Sequence, residues 1–290
     1  MTLERTSPCK VNLLLNILGK RSDGFHELET VMHPVNLCDQ LCFTRQGQGI
    51  QLTCSEPTLP TDSSNLVQRA AAAFLMAAGI TEGVRIHLEK RIPLAAGLGG
   101  GSGNAATTLL GLNALFGQPL AQIRLAELAA TIGSDVPFFL QSQPALATGH
   151  GETIQPLDFF PALRDTFLLL VHPGFGISTA WAYQQLPRFP AALNGRPGRA
   201  TRLISLLQTT NLATAGPAFY NSLESPALHK YPLLALFQEF LRDHGASATL
   251  MSGSGSTTLA LLKGETAANK LADKFRQKFG ITCWTAVVPL

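Results

Sequence analysis

Charge is scarce in this chain. Asp, Glu, Lys and Arg make up 14% of its 290 residues, and their balance leaves a formal net charge of only +3. That composition excludes a charged disordered tail. The mild excess of positive charge can attract an anionic small molecule but falls far short of a nucleic-acid binder. The five cysteines (Cys9, Cys38, Cys42, Cys54, Cys283) contain no C-x-x-C pair, which argues against a zinc site and fits a reducing compartment. Long hydrophobic runs are missing as well: "AAAAFLMAAGI" is too short to span a bilayer. Glu4 and Arg5 precede "VNLLLNIL", but Asn12 and Asn16 interrupt that run and no small-residue cleavage site follows, so no signal peptide is expected. The expectation is a soluble cytoplasmic protein with no membrane, nucleic-acid or obligate protein partner.

Apolar residues, by contrast, are plentiful at 46%, enough for one large domain or two of ordinary size. In "KVNLLLNILGK" Val11, Leu13, Leu15 and Ile17 recur at period two and predict a strand ending near Gly19. Residues 62–78 predict a helix that stops at Gly79, and "GVRIHLEKRI" predicts a strand. Helices are expected in "NAATTLLGLNALF", capped by Ser102 or Asn104, and in "PLAQIRLAELAATI". After a Pro- and Gly-rich stretch at 143–160, a second unit is expected. It comprises the strand "TFLLLVHP", short helices at 178–186 and 200–208, the helix "LHKYPLLALFQEFLRDHG", the strand pair "SATLMSGSGSTTLALLK", the helix "ETAANKLADKFRQKF" and a final strand "TCWTAVVP". Strands and helices mix without strict alternation, which favours an α+β fold, with domains placed at 1–158 and 159–290.

Between the strand "GVRIHLEKRI" and the helix after it lies "PLAAGLGGGSGNAA", with glycine at 97, 99, 100, 101 and 103. Backbone without Cβ atoms can fold closely around an anion, with N–H groups and a helix N-terminus aimed at it. A flexible linker would not be flanked so tightly by a strand and a helix, although a structural turn remains open. The P-loop lysine is absent, and the looser dinucleotide pattern at Gly101, Gly103 and Ala106 begins well beyond the strand and lacks its acidic partner. No G-x-S-x-G elbow supports a hydrolase. Phosphoryl transfer also needs a base and a cation. Asp135 in "IGSDVPFF" lies between a helix stop and an apolar run and is expected to be half-buried, as a base or as a turn residue. Lys10 opens an apolar strand, where a lysine ordinarily marks a solvated end, and His26 in "DGFHEL" reads first as a surface turn. "MSGSGSTTLAL" by itself is an ordinary hairpin.

Taken together and in order, "SPCKVNLLLNILGKRSDGFHELETV", "PLAAGLGGGSGNAATTLLGLN", "GSDVPFFL" and "MSGSGSTTLAL" resemble the motifs of the GHMP kinase superfamily. Within it they are most similar to the branch that phosphorylates 4-diphosphocytidyl-2-C-methyl-D-erythritol. The resemblance implies a two-lobed fold, with an N-terminal ATP-binding lobe, a C-terminal ferredoxin-like lobe and a cleft between them. It implies ATP and Mg²⁺ as cofactors and a small-molecule alcohol as substrate, without identifying the metal ligands. Leu94, Ala95, Ala96, Gly97, Leu98, Gly99, Gly100, Gly101, Ser102, Gly103 and Asn104 would surround the phosphates, with Ser102 near the β-phosphate or Mg²⁺ and Asn65 on the adenine side. Asp135 would be the base and Lys10 its charge partner. Asn12, Phe25, His26, Thr179 and Tyr183 would contact the substrate, Phe25 and Tyr183 sandwiching the cytosine. Three positions depart from the family pattern: Cys9 replaces an alanine, Phe25 a tyrosine and Gly103 the second serine of the loop. A kinase of another small alcohol, a non-catalytic nucleotide-binding module and a nicotinamide-dependent oxidoreductase are the competing readings.

Overall fold

The structure, a computed structural model, describes residues 2–290. Contacts divide the chain into two units, each assembled from three segments: residues 1–9, 37–93 and 99–142 form unit 1, and residues 10–36, 94–98 and 143–290 form unit 2. The expected cut at 158/159 follows order along the chain, whereas contacts group it discontinuously. The reason is strand length. Strand β1 (Thr2–Lys20) and strand β2 (His26–Gln46) each run from one unit into the other.

In unit 1, β4 (Gly83–Glu89) pairs antiparallel with β2 from Gln40 to Gln46 and parallel with β3 (Ile50–Cys54). Helices α1 (Leu66–Ala78), α2 (Gly100–Leu115) and α3 (Gln122–Ile132) bury Phe74, Leu109, Leu112 and Leu125 in the same core as Phe43, Ile86 and Leu88. A Cβ on Gly111 would stand 2.6 Å from the Phe43 ring, so glycine at that point sets how closely α2 sits on the sheet. Asn65 caps α1 by accepting from Val67 N at 2.9 Å, and Gly79 ends it at φ +63°.

Unit 2 contains the hairpin β5 (Ala145–Gly149) and β6 (Thr153–Pro156), with β5 antiparallel to β2, and the two-residue strand β8 (Tyr220–Asn221) parallel to β1. Its second sheet has the order β11-β7-β10-β9, built from β7 (Thr166–His172), β9 (Ala248–Met251), β10 (Thr258–Lys263) and β11 (Trp284–Pro289). All neighbours in it are antiparallel. β7 and β9 therefore run parallel with β10 inserted between them, the split β-α-β arrangement of a ferredoxin-like sheet. Helices α4 (Thr179–Gln185), α5 (Pro190–Leu193), α6 (Arg199–Thr209), α7 (Leu212–Ala215), α8 (Glu224–Lys230), α9 (Pro232–Asp243) and α10 (Glu265–Phe279) accompany it. Leu234, Phe237 and Leu241 of α9 and Ala268, Leu271, Ala272 and Phe275 of α10 share one core with Leu169, Ala260 and Leu262 of the sheet.

The α+β class and the ferredoxin-like second sheet match expectation. Four local readings change. The helix expected over 228–245 is broken at Tyr231, because Pro232 has no amide to donate and opens α9 afresh. Helix α2 starts at Gly100, inside the glycine run, with Gly99 left-handed at its cap and no side-chain cap bond, so neither Ser102 nor Asn104 is the cap. β1 buries residues at both parities from Cys9 to Asn16, so its alternation does not mark a solvated face. Lys10, expected at a solvated strand end, is 3% exposed.

Candidate active site

In unit 2 the glycine loop contributes Leu94–Leu98, and its neighbours explain why the chain needs glycine there. Gly97 sits at φ +74°, and a Cβ on it would lie 2.0 Å from the Ser252 carbonyl oxygen and 2.9 Å from Gly255 N. Only glycine fits such a left-handed close approach. The stretch 252–257 is thus no ordinary hairpin. Its Ser252 hydroxyl donates to the Gly97 carbonyl at 2.9 Å, and Thr257 N donates to the Ala96 carbonyl at 3.2 Å. Asn221 holds this turn by donating from Nδ2 to the carbonyls of Met251 (2.7 Å) and Gly253 (2.8 Å). Glu224 accepts Met251 N at 2.7 Å and Gln238 Nε2 at 2.6 Å, and burial pushes its carboxyl pKa upward.

Lys10 points into this arrangement. Its Nζ donates to Asn12 Oδ1 at 2.6 Å and to the Gly97 carbonyl at 3.4 Å, while its own amide donates to the Leu98 carbonyl at 2.9 Å. Asn12 is fixed in turn, donating to Thr30 Oγ1 at 2.8 Å, and that hydroxyl donates to the Leu14 carbonyl at 2.6 Å. A Cβ on Gly253 would come within 3.4 Å of both Lys10 Nζ and Asn12 Oδ1. These contacts hold the Lys10 ammonium, itself 3% exposed, against the loop and the 252–257 turn.

The residues expected at the substrate also lie in unit 2. The Phe25 ring is 54% exposed and stacks on His150 at 4.8 Å. The His26 ring lies 5.0 Å from Tyr183, with Nε2 buried and lacking a protein partner. Burial first, and the Lys20 charge second, lower the His26 pKa, keeping the imidazole neutral near pH 7. The Thr179 hydroxyl is 2.8 Å from that of Ser254, which links α4 to the 252–257 turn.

Unit 1 holds the rest of the loop. With Gly99 left-handed and the first helical bond running from Gly103 N to the Gly99 carbonyl at 2.9 Å, the amides of Gly100, Gly101 and Ser102 have no intrahelical acceptors. Free amides at a helix N-terminus, with no Cβ at Gly100 or Gly101, fit the oxygens of a phosphate. Ser102 is half-buried. Gly103 has its own cause: a Cβ there would lie 2.6 Å from the Pro8 carbonyl oxygen and 3.2 Å from Ser7 Oγ, so a serine would not fit unless the backbone moved. The Asn104 side chain turns inward, donating to Ser7 Oγ at 3.0 Å and to Asp39 Oδ2 at 2.9 Å. Both ends of the Asn65 side chain are engaged locally, as the α1 cap and through Nδ2 to the Pro60 carbonyl at 2.7 Å. Asp135 occupies the turn after α3 and is half-buried, as expected. No group of three or more His, Cys, Asp and Glu that could hold a metal occurs among the described residues. No helix among them is long and apolar enough to cross a membrane.

Sequence reasoning passed over the partners that shape the loop: Ser252 and Gly253 on one side, Asp39 and Lys90 on the other. The S-G-S-G run carried a usable signal, since two glycines alternating with hydroxyl residues suit a tight approach of two backbones. Asp39 carried none.

The profile of the GHMP kinases N terminal domain matches residues 65–143, and that of the GHMP kinases C terminal matches 203–281. A 4-diphosphocytidyl-2-C-methyl-D-erythritol kinase from Geobacter sp. (strain M21) is 39% identical over 281 residues, covering 96% of each chain. One of the same description from Gloeobacter violaceus is 40% identical over 264 residues, covering 90% of this chain and 86% of that one. Among solved structures, a 4-(cytidine 5'-diphospho)-2C-methyl-D-erythritol kinase superposes with a TM-score of 0.80 at 36% identity, over 99% of this chain and 100% of the other. A homoserine kinase from Cytophaga hutchinsonii reaches 0.79 at 20% identity, over 99% and 94%, and shares the fold.

Proposed function

Because the chain belongs to the GHMP kinases and, within them, to the family of 4-diphosphocytidyl-2-C-methyl-D-erythritol kinases, we propose that it transfers the γ-phosphoryl group of ATP to the 2-hydroxyl of 4-diphosphocytidyl-2-C-methyl-D-erythritol, in the methylerythritol phosphate route to isoprenoid precursors. One observation carries the reading furthest. Helix α2 opens at a left-handed Gly99, with the amides of Gly100, Gly101 and Ser102 lacking intrahelical acceptors and no Cβ at Gly100 or Gly101 to crowd them. Such a helix start suits the oxygens of a phosphate, which supports the reading.

In the reaction the hydroxyl oxygen forms a bond to the γ-phosphorus, the bond from that phosphorus to the β-bridging oxygen breaks, and the hydroxyl proton goes to Asp135. Lys10 stabilises charge on the moving group. The amides of Gly100–Ser102 receive phosphate oxygens, and Ser102 adds its hydroxyl beside the β-phosphate or Mg²⁺. Leu94–Leu98, Gly99, Gly103 and Asn104 give the loop its path, and Asn65 lies on the adenine side. Mg²⁺, when bound with ATP, offsets the negative charge of the phosphates. Phe25 and Tyr183 flank the cytosine with Thr179 nearby, and Asn12 and His26 contact the substrate. Phenylalanine at 25 keeps the stacking and gives up a phenol hydrogen bond. Residues 1–158 carry the nucleotide and 159–290 complete the substrate side, with Asn12, Phe25 and His26 contributing to it from the first segment.

The test is ADP release with ATP and Mg²⁺ in four parallel arms: 4-diphosphocytidyl-2-C-methyl-D-erythritol, homoserine, mevalonate and no acceptor. Turnover with the first alone is expected. Turnover with another alcohol would move the substrate assignment, and ATP binding without turnover would reduce the loop to a binding cradle. Asp135→Asn is expected to lower kcat by roughly 10²–10⁴-fold, the range of general-base catalysis, and to leave ATP affinity intact. A kcat within about threefold of the parent would remove Asp135 from the role, being far below that range.

A further inference from the structure

Asp39 lies far from the glycine loop in sequence, on the unit 1 half of β2, and its carboxylate is fully buried. It is also completely satisfied. Oδ1 accepts the backbone amides of Arg91 at 2.7 Å and Ile92 at 2.9 Å. Oδ2 accepts Asn104 Nδ2 at 2.9 Å and pairs with the Lys90 ammonium. Lys90 Nζ also reaches Asn104 Oδ1 at 3.3 Å and would stand 3.4 Å from a Cβ on Gly100. Asn104 spends its second donor on Ser7 Oγ at 3.0 Å. One carboxylate thus fills all four of its acceptor positions with groups from residues 90–92 and 104, which bracket the loop at 93–103.

We propose that Asp39 is a positioning residue for phosphoryl transfer. It is a clasp that fixes the start and the end of the glycine loop at one buried point, so that the amides of Gly100–Ser102 are aimed before the nucleotide arrives. The physical reason is entropic. A run of five glycines has wide conformational freedom, and ordering it at the moment of binding would weaken nucleotide affinity. Neutral side chains could hold the two ends, but an anion accepts stronger hydrogen bonds from backbone amides, and Lys90 balances its buried charge. Asn104, within this clasp, serves the loop by fixing it rather than by touching a phosphate. The clasp deepens the kinase reading and rests on it for the affinity arm of its test alone.

Removing only one charge would strand the other in the core, so the test uses neutral pairs of changes. In Asp39→Ala/Lys90→Met, ATP affinity measured by calorimetry is expected to fall by roughly 10²-fold, as for a misplaced binding group, while KM for the alcohol substrate stays within about threefold. Amide hydrogen exchange of residues 94–103 in the unliganded protein is expected to speed up relative to β4. Asp39→Asn/Lys90→Met keeps the Oδ1 acceptor for Arg91 and Ile92 but loses the Oδ2 acceptor for Asn104, and is expected to restore both readouts in part. Unchanged exchange in the alanine pair would overturn the clasp, as would a lower Tm with unaltered ATP affinity per folded molecule. If the parent protein fails to bind ATP, the kinase reading falls and exchange alone decides the clasp. If the alanine pair does not fold, Asn104→Ala, which opens only the helix side, is expected to accelerate exchange of the same segment, and its failure to do so overturns the proposal.

Discussion

Gly97 and Gly103 show how two residues of one type in one loop answer to different constraints. At Gly97 both the backbone angle and the Ser252 carbonyl exclude a side chain. Gly97→Ala is therefore expected to damage nucleotide binding more than Gly24→Ala, since Gly24 shares the left-handed backbone but has nothing within 4 Å of its missing Cβ. Calorimetry with ATP separates the two. Gly103→Ser, which restores the common family residue, is expected to destabilise the fold by about 1–3 kcal/mol through overpacking against Pro8, measured by urea denaturation. His33 makes a further prediction. It is buried, bonds through Nδ1 to the Pro34 carbonyl at 2.7 Å, and desolvation lowers its pKa to about 4. The unfolded chain takes up a proton near pH 6.5 that the folded chain refuses until about pH 4. Stability is therefore full above pH 6.5 and falls between 6.5 and 4, by up to about 1.4 kcal/mol per pH unit. His33→Gln should flatten that part of a stability-against-pH curve. At this scale the sequence disclosed the candidate residues but not their burial. Nothing in "SPCKVN" says that Lys10 is enclosed, because enclosure depends on residues 94–98 and 252–257, far away in sequence.

Elements were easier to read, since periodicity and punctuation are local. Helix α10 and strands β4, β7 and β11 fall where pattern and glycine stops put them. The misses have local causes too. Tyr231–Pro232 hid a helix break inside a continuous apolar stripe, and Gly100–Gly103 continued into a helix that glycine composition disfavours. Packing against the sheet and the clasp on Asn104 override that propensity. Where α9 meets α10, Phe237 stands edge-on to Phe275 and Phe279, each at 4.8 Å between ring centroids. Phe237→Ala is expected to cost about 3–5 kcal/mol, read as a lowered denaturation midpoint, because the surrounding rings cannot collapse fully into the space.

For the whole molecule, ligand and redox responses follow from what holds it together. None of the five cysteines is in a disulfide, so adding a reductant should leave Tm unchanged. ATP with Mg²⁺ at about a hundred times its Kd should add about 2.7 kcal/mol, seen as a raised Tm. The α+β class and the ferredoxin-like second sheet were legible from element order and the family resemblance. The interleaving of the units was not, because a strand carries no local mark of the point where its neighbours change.

That interleaving limits how such a protein can be altered by recombination. Unit 1 and unit 2 each draw on three alternating stretches of chain. The core of unit 2 takes Leu15, Ile17 and Leu28 from the first of its stretches, so a fragment starting at Gln143 lacks part of its own interior. A single crossover between two related genes therefore never exchanges one unit without assembling the other, or both, from two parents. It always grafts part of one parent's core onto the other, and viable chimaeras should be confined to parents whose β1 and β2 residues are interchangeable.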